Sequence, residues 1–403
     1  MLGKTLSIYR RSFSGFSREV WLLSTVLFIN RSGTMVIPFM TVYLTQVKGY
    51  TLAQAGWVMS AFGAGSVLGA FLGGRLTDRL GFYRVQFWSL FLSGFVFISL
   101  GYAESIWAIA GVIFLVSTIA DAFQPANFTA VAAYSRPENR TRALGLLRMA
   151  VNLGWAVGPA VGGLLAAKLG YQWLFWADGL TCIAAALFFR WALPFRRRPA
   201  EAAAGEEASV LQAVAAHRDR PYLFFLLLVL LNAVAFMQLF STVPVFFKQE
   251  IGLDEDWIGR LIALNGLLIA LTEMPLIFIV ENRFKKWHIV SIGTLLIGIS
   301  YLLFNLFGPV FGAAFAYMVL ITIGEMLSLP FMATIALDFT TDKNRGQYMA
   351  LFTMMYSLSH ILSPNLGLQT ADHLGFPALW WFLMGFCVLV FLGFRWIAAA
   401  RGR

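Results

Sequence analysis

Charge is what this sequence has least of. Only 12% of its 403 residues are Asp, Glu, Lys or Arg, roughly half the share found in soluble domains. A chain this poor in charge cannot cover a water-facing surface, which excludes an ordinary soluble globular protein. Cysteine is almost missing. Cys182 and Cys387 lie within apolar runs in opposite halves, which excludes a disulfide framework and a thiolate metal site. Both read as small buried hydrophobes. The chain also lacks a Gly-rich phosphate loop, a nucleophile–base constellation and metal-ligand spacing. No polar stretch is long enough for a sizeable soluble domain. An enzyme is therefore not expected, and no cofactor or metal is implied.

Apolar length is what the chain has in excess. Hydrophobic residues make up 59% of it. Runs of about 20 residues recur, the length needed to cross about 30 Å of hydrocarbon. They predict an all-α integral membrane protein with twelve transmembrane helices, near residues 20–45, 53–75, 84–103, 106–134, 143–168, 172–193, 221–248, 257–281, 287–307, 309–338, 346–369 and 376–397. Lys4, Arg10, Arg11 and Arg18 precede the first run. No small-residue cleavage site follows a short apolar core, so that run is expected to be an uncleaved span. The Ala/Glu-rich piece 194–220 reads as a linker between residues 1–193 and 221–403. A short amphipathic helix is expected in it around Ala208–His217.

The two parts repeat each other. Asn139, Arg140, Pro125 and Pro159 recur as Asn344, Arg345, Pro330 and Pro364, each 205 residues further on. An offset of half the chain predicts two pseudo-symmetric six-helix bundles. Within Asn139–Gly163, the residues Ala150, Gly154, Gly158 and Gly162 recur every fourth position. On a helix they form a stripe nearly free of side chains, where a second helix backbone can approach closely. Pro159 removes a backbone donor midway along that helix.

Basic residues fall on one side. Twelve spans put both termini and all even-numbered loops together, and 25 of the 30 Lys and Arg residues lie there. The positive-inside rule then places both termini in the cytoplasm, with the protein in the cell (inner) membrane. The net charge of +10 serves orientation and contact with anionic lipid, and no nucleic-acid patch is implied.

The turn between spans 2 and 3 reads Gly74-x-x-x-Asp78-Arg79-x-Gly81-x-x-Arg84. Gly81 permits an unusual backbone conformation, Asp78 can cap a helix, and the arginines hold the loop at the surface. This turn resembles the signature of the major facilitator superfamily, with a degenerate echo at Glu281–Lys286. Span 5 carries Gly145-x8-Gly154-x3-Gly158-Pro159-x2-Gly162-Gly163, which resembles the antiporter motif of the superfamily's proton-driven drug exporters. The resemblance implies that Asp78, with Arg79 and Arg84, latches the two halves at the cytoplasmic side. It also implies that spans 1, 4, 7 and 10 line a central cavity.

Ionisable residues at mid-membrane are costly and mark function by default. Arg31, Asp121, Glu273 and Glu325 lie inside spans 1, 4, 8 and 10. Glu325 sits mid-span in Thr-Ile-Gly-Glu-Met-Leu-Ser-Leu-Pro, residues 322–330. Desolvation penalises its charged form, so it can take up a proton and release it when the cavity rewets. The segment resembles a coupling site of multidrug–proton antiporters, and proton-coupled peptide transporters have a similar Gly-Glu. The peptide group's span 1 glutamates are absent, with Leu27 and Asn30 in their places. The arginine motif common on span 4 of drug antiporters is absent as well. Arg31 needs an anionic partner, and Asp121 is the expected one. Glu273 is expected at the interface between halves. Asp178 and Asp338 lie near span ends and read as solvated. His360 and His373 read as hydrogen-bonded histidines.

On the cavity spans, Asn30, Met35, Phe39, Phe123, Gln124, Asn127, Met237, Phe240 and Met326 are expected to contact substrate, since flexible aromatic and Met surfaces suit varied ligands. Together these readings predict a monomeric secondary transporter. It would exchange hydrophobic or cationic small molecules for protons and draw on a proton gradient. Proton-coupled import of peptides or another nutrient is the alternative.

Overall fold

The computed structural model describes residues 16–135, 140–195, 218–281, 283–339 and 345–401, and within helices some side chains, Asp78 among them, lie outside the described set. The amphipathic helix expected around Ala208–His217 falls outside it too. Every regular element among the described residues is helical. Ten helices are long and apolar enough to cross a bilayer. An eleventh, Glu255–Glu281, qualifies as a pair of pieces bent by 50° at Pro275, where the ring removes a backbone bond. The twelfth, Arg345–Leu374, has 30 residues but is more polar. It turns Thr353, Tyr356, Ser357 and His360 toward a cavity rather than lipid, which relaxes the demand for apolar side chains.

Spans 1, 4 and 7 are each broken in two. Span 1 consists of Arg18–Ser32 and Val36–Val42, span 4 of Ile106–Asp121 and Phe123–Tyr134, and span 7 of Arg220–Ser241 and Val243–Gln249. Pro38, Pro125 and Pro244 stand in the first turns of the second pieces, where a missing N–H has no helical partner to lose. Span 2, Leu52–Leu80, meets span 3, Phe82–Leu100, through Gly81 alone. Its φ of +83° is a conformation that suits only glycine.

Span 5 (Arg140–Leu169) uses two faces of small residues. Gly154, Gly158 and Gly162 lie against the backbone of span 1 around Arg31–Met35. On the other face, Gly163 lies on the Glu255 carbonyl of span 8, and Gly259 of that span lies on the Pro159 carbonyl. Spans 2 and 11 repeat the arrangement, with Gly56 on the Pro364 carbonyl and Gly63 on that of His360. These two pairs form the seam between halves. Gly145 has nothing within contact distance of a Cβ, and neither has Gly74. Those two motif glycines are therefore not needed for close packing here.

The core divides along the membrane normal. At the end remote from the chain termini, one cluster draws on both halves: Phe39, Val58, Ile113 and Phe175 pack with Phe236, Phe246, Ile258, Tyr317 and Trp380. At the terminal end each half has its own cluster. One holds Leu23, Phe82, Phe123 and Phe189, the other Phe225, Ile289, Phe331 and Phe394. The remote end is thus shut by a shared core, and below it the halves stand as separate bundles.

Candidate transport site

A cavity of about 510 Å³ lies between the halves, lined by residues of both. It lies under the shared core, and Phe236 and Phe240 line both. Trp155 of span 5 reaches across to Phe240 of span 7, with ring centroids 5.0 Å apart, and Phe240 meets Phe236 edge-on at 5.9 Å.

Glu325 faces this cavity. Span 8 holds it in place. Asn265 Nδ2 donates to Glu325 Oε2 at 2.8 Å and to Thr322 Oγ1 at 3.0 Å. Thr322 in turn donates to the Met318 carbonyl one turn back. A carboxylate oxygen fixed by an amide keeps one orientation while its second oxygen remains free for a proton or a cationic ligand.

Asp121 also lines the cavity and ends the first piece of span 4. A negative charge at a helix C-terminus opposes the helix dipole, so other groups must hold it there. Its charge acts on His360 of span 11. No ion pair joins Asp121 to Arg31 among the described residues. The carboxylate close enough for the charge of Arg31 to act on it is Asp178 of span 6, which lines the same cavity. Far from solvated, Asp178 is 2% exposed. Its Oδ2 accepts the backbone N–H groups of Val36 at 3.0 Å and Met35 at 3.3 Å. Those donors open the second piece of span 1; Met35 also bonds the Gly33 carbonyl at 2.7 Å, and Val36 depends on the carboxylate from span 6 that caps the break.

Glu273 does lie between the halves. It is 8% exposed, and its Oε1 is 2.5 Å from a terminal nitrogen of Arg148 on span 5. Arg148 counts as a loop charge in the sequence, yet it stands eight residues inside a helix.

Of the expected contact residues, Asn30, Gln124, Met237 and Phe240 line the cavity. Met35, Phe39 and Phe123 do not. They are 5%, 0% and 2% exposed and belong to the cores. Asn127 accepts a bond from Gln86 at 3.2 Å inside the N-terminal bundle. Met326 packs against Thr272 of span 8, with its sulfur 3.5 Å from the hydroxyl. Span number alone could not say which face of each helix turns inward. Asn152, Trp155, Asp178, Asn265, Tyr356 and His360 line the cavity unanticipated. Asn152 and Trp155 could have been found, since they flank Gly154 within the span 5 motif. In the turn between spans 2 and 3, Arg79 and Arg84 are exposed, and the expected role of Asp78 falls outside the described side chains. Asp338 pairs with Lys286 at 2.8 Å on the surface, as a solvated group would.

A ligand-sized cavity between two six-helix halves, shut at one end, is the architecture of an alternating-access membrane carrier. The chain belongs to the major facilitator superfamily, whose family model matches residues 20–280 and 247–402. It is 28% identical over 381 residues to the uncharacterised MFS-type transporter YttB of Bacillus subtilis, covering 90% of each chain. It is 24% identical to a Na(+), Li(+), K(+)/H(+) antiporter of Planococcus maritimus, covering 92% of this chain and 93% of that one. Identity to the multidrug resistance protein MdtH of Edwardsiella ictaluri is also 24%, over 79% of this chain and 78% of that one. Among solved structures, a peptide transporter POT in complex with sulfate superposes with a TM-score of 0.79 at 16% identity, covering 96% of each chain. That last likeness is one of fold.

Proposed function

We propose that the chain is a proton-coupled exporter of hydrophobic or cationic small molecules, working by alternating access across the cell (inner) membrane as a monomer. The observation that carries this reading is Glu325. It is a carboxyl at mid-span, turned into the cavity and clamped by Asn265 from the neighbouring helix. An acid in that position can hold a proton or a cation but not comfortably both, which is the exchange that antiport needs. Asp121 and His360 add further ionisable side chains to the lining of the same cavity. The Na(+), Li(+), K(+)/H(+) antiporter among its relatives supports an exchange mechanism, and the multidrug resistance protein supports small-molecule cargo.

With the termini in the cytoplasm, as the sidedness of the basic residues indicates, the shared core shuts the outer end. The cavity then receives its cargo from the cytoplasm or the inner leaflet. Rocking of the halves about the seams of spans 5 with 8 and 2 with 11 exposes it to the other side. The test is efflux of a fluorescent lipophilic cation from proteoliposomes under an imposed pH gradient, for wild type and Glu325→Gln. Gradient-driven transport is expected to disappear in the variant while its thermal melt stays within a few degrees of wild type. Undiminished proton-driven efflux by Glu325→Gln would overturn the assignment. Efflux driven by a sodium gradient instead would replace the proton as the coupling ion.

A further inference from the structure

We propose that the remote end carries a second binding site, separate from the transport cavity, for a small ammonium compound that bears a hydroxyl group. Once occupied, the site holds that end shut. The inference rests on the remote end of the fold and not on the transport reading.

A recess of about 330 Å³ lies there over the shared core. It is framed by the last turns of spans 7, 9 (Lys286–Phe307) and 11 and by the start of span 12 (Phe376–Arg401). Asn305 Nδ2 donates to the Pro377 carbonyl at 3.0 Å, which ties span 9 to span 12 and preforms the rim. Glu250 and Asp372 line the recess, and no Lys, Arg or His does so among the described residues. Neither carboxylate has an ion-pair partner among the described residues, and nearby Lys248 is engaged with Glu255 at 3.0 Å. Each carboxylate stands at the C-terminal end of its helix, where a negative charge opposes the dipole. Neither therefore stabilises its own helix, and together they favour a cation in the recess.

A second observation points to a ligand. Trp380 lines the same recess and is 1% exposed. Tyr301 and Phe376 stack on its indole at 5.4 and 5.9 Å, and Phe246 meets it edge-on at 5.1 Å. Packing thus fixes the ring, yet its Nε1 is buried and has no acceptor. A buried N–H without a partner is unfavourable, and an indole can only donate. The carboxylates call for a cation and the indole for an oxygen, and an amino alcohol carries both. Its binding depends on the conformation of the protein. Phe246, Phe304 and Phe376 belong both to the recess and to the shared core, and Leu52 packs on that core from the N-terminal half. The contact with Leu52 is lost when the halves part, so a bound ligand favours the shut state.

The test uses the purified full-length chain in nanodiscs with three matched probes: 2-amino-1-phenylethanol, 2-phenylethylamine, which lacks the hydroxyl, and 1-phenylethane-1,2-diol, which lacks the ammonium. Wild type is expected to bind the amino alcohol at least about threefold more tightly than the amine, the scale of one neutral hydrogen bond. It should bind the diol at least about tenfold more weakly than the amino alcohol, for want of the charge-assisted contact. Trp380→Phe keeps an aromatic ring and should bring amino alcohol and amine within about twofold of each other. Glu250→Gln combined with Asp372→Asn should lower the affinity for the amino alcohol to that for the diol. Glu325→Gln, in the transport cavity, should change it by no more than about twofold. Saturating amino alcohol should slow maleimide labelling of Ser60→Cys, a residue at the seam of spans 2 and 11, at least about threefold. The comparison of probes on wild type stands even where a variant fails to fold. Equal affinity of wild type for the amino alcohol and either analogue overturns the inference, and so does binding that survives the double substitution. Binding lost in Glu325→Gln instead assigns the probe to the transport cavity and overturns it too. Unchanged labelling at saturation overturns the claim that the site holds the remote end shut. The exporter reading falls only by its own efflux test, because Glu250 and Asp372 lie outside the transport cavity.

Discussion

The two ends of the molecule are built differently. At the remote end the halves share one core, sealed by glycines that lie on the carbonyls of the opposing helix. At the terminal end each half keeps a core of its own. The difference shows where the conformational change must take place. The separate cores are stable in either state, since each is complete within its bundle. The shared core exists only while the remote end is shut. Small residues suit that seam because backbone-to-backbone contact at close range gives many dispersion contacts without side-chain interlocking. A seam made of interdigitated large side chains would hold just as well but would be slower to part.

The sharpest way to break this contrast is to fill the seam. A Cβ on Gly163 would lie against the Glu255 carbonyl, and one on Gly259 against that of Pro159. Backbone cannot step aside as a side chain can. Gly163→Leu or Gly259→Leu should cost the closed remote end more than about 3 kcal/mol, the upper range for overpacking. That exceeds a hundredfold change in population. The measurement is reaction of Ser60→Cys with a membrane-impermeant maleimide added at the remote side. Ser60 now donates to the Ile361 carbonyl across the seam at 2.8 Å. Its cysteine replacement should label far faster in the leucine backgrounds. The same substitution at Gly74, where a new Cβ meets nothing, should leave labelling unchanged. Equal behaviour at both sites would dissolve the distinction between ends.

Asp178 marks the border between the two regimes, because it caps the break that lets span 1 belong to both. Asp178→Ala leaves the Val36 N–H without an acceptor and the Met35 N–H with the Gly33 carbonyl alone, which should lower stability by about 1–3 kcal/mol. In a thermal melt the midpoint should fall by several degrees, with Asp178→Asn losing less because an amide oxygen can still accept. A melt unchanged by Asp178→Ala would show that the break is held by packing alone.

Much of this could be read in the sequence, and what could not has a common cause. The spans, the half-chain repeat and the special position of Glu325 follow from apolar length and the cost of a buried charge. The turn at Gly81 follows from a residue type that tolerates its backbone angles. The cavity lining did not follow. A helix with lipid on one side and protein on the other is apolar all round, so no amphipathic signal says which face turns inward. Met35, Phe39, Phe123 and Met326 were assigned to the cavity by span, and the structure places them in packing. Asp178 was misread because its partners are backbone N–H groups of a distant helix, which leave no mark on residue identity. Arg148 was taken for a loop charge because it stands within two turns of a span end, inside the uncertainty of any boundary.

A smaller effect is expected at Arg148. Its ion pair with Glu273 joins the halves on the terminal side of the middle. The arginine side chain is 54% exposed, so solvent screens most of the attraction and the pair contributes about 1 kcal/mol or less. Arg148→Gln should change transport by no more than about fivefold and should leave labelling of Ser60→Cys within about twofold. Added salt should mimic it. A loss of transport comparable to that of Glu325→Gln would move Arg148 from the seam into the coupling site.

The mildest perturbation bears on the remote end alone. Tyr171, between spans 5 and 6, donates its hydroxyl to Glu255 at 2.8 Å, and Lys248 holds the same carboxylate oxygen at 3.0 Å. Tyr171 belongs to the N-terminal half and Glu255 to the C-terminal half, so this hydrogen bond crosses the seam. Burial, reinforced by the adjacent carboxylate, pushes the Tyr171 hydroxyl well above its ordinary value near 10. The shut state therefore keeps the phenol protonated where an exposed tyrosine would ionise. The bond is fully present below pH 10 and weakens as pH rises above it, because the parted state then gains by releasing the proton. Tyr171→Phe should raise labelling of Ser60→Cys by no more than about fivefold at pH 7.5, the scale of one hydrogen bond. Wild type should show a further rise in labelling above pH 10, once corrected for thiolate reactivity, and the phenylalanine variant should not. An alkaline rise that persists in Tyr171→Phe would assign the pH sensitivity to another group and leave Tyr171 as one packing contact in the shared core.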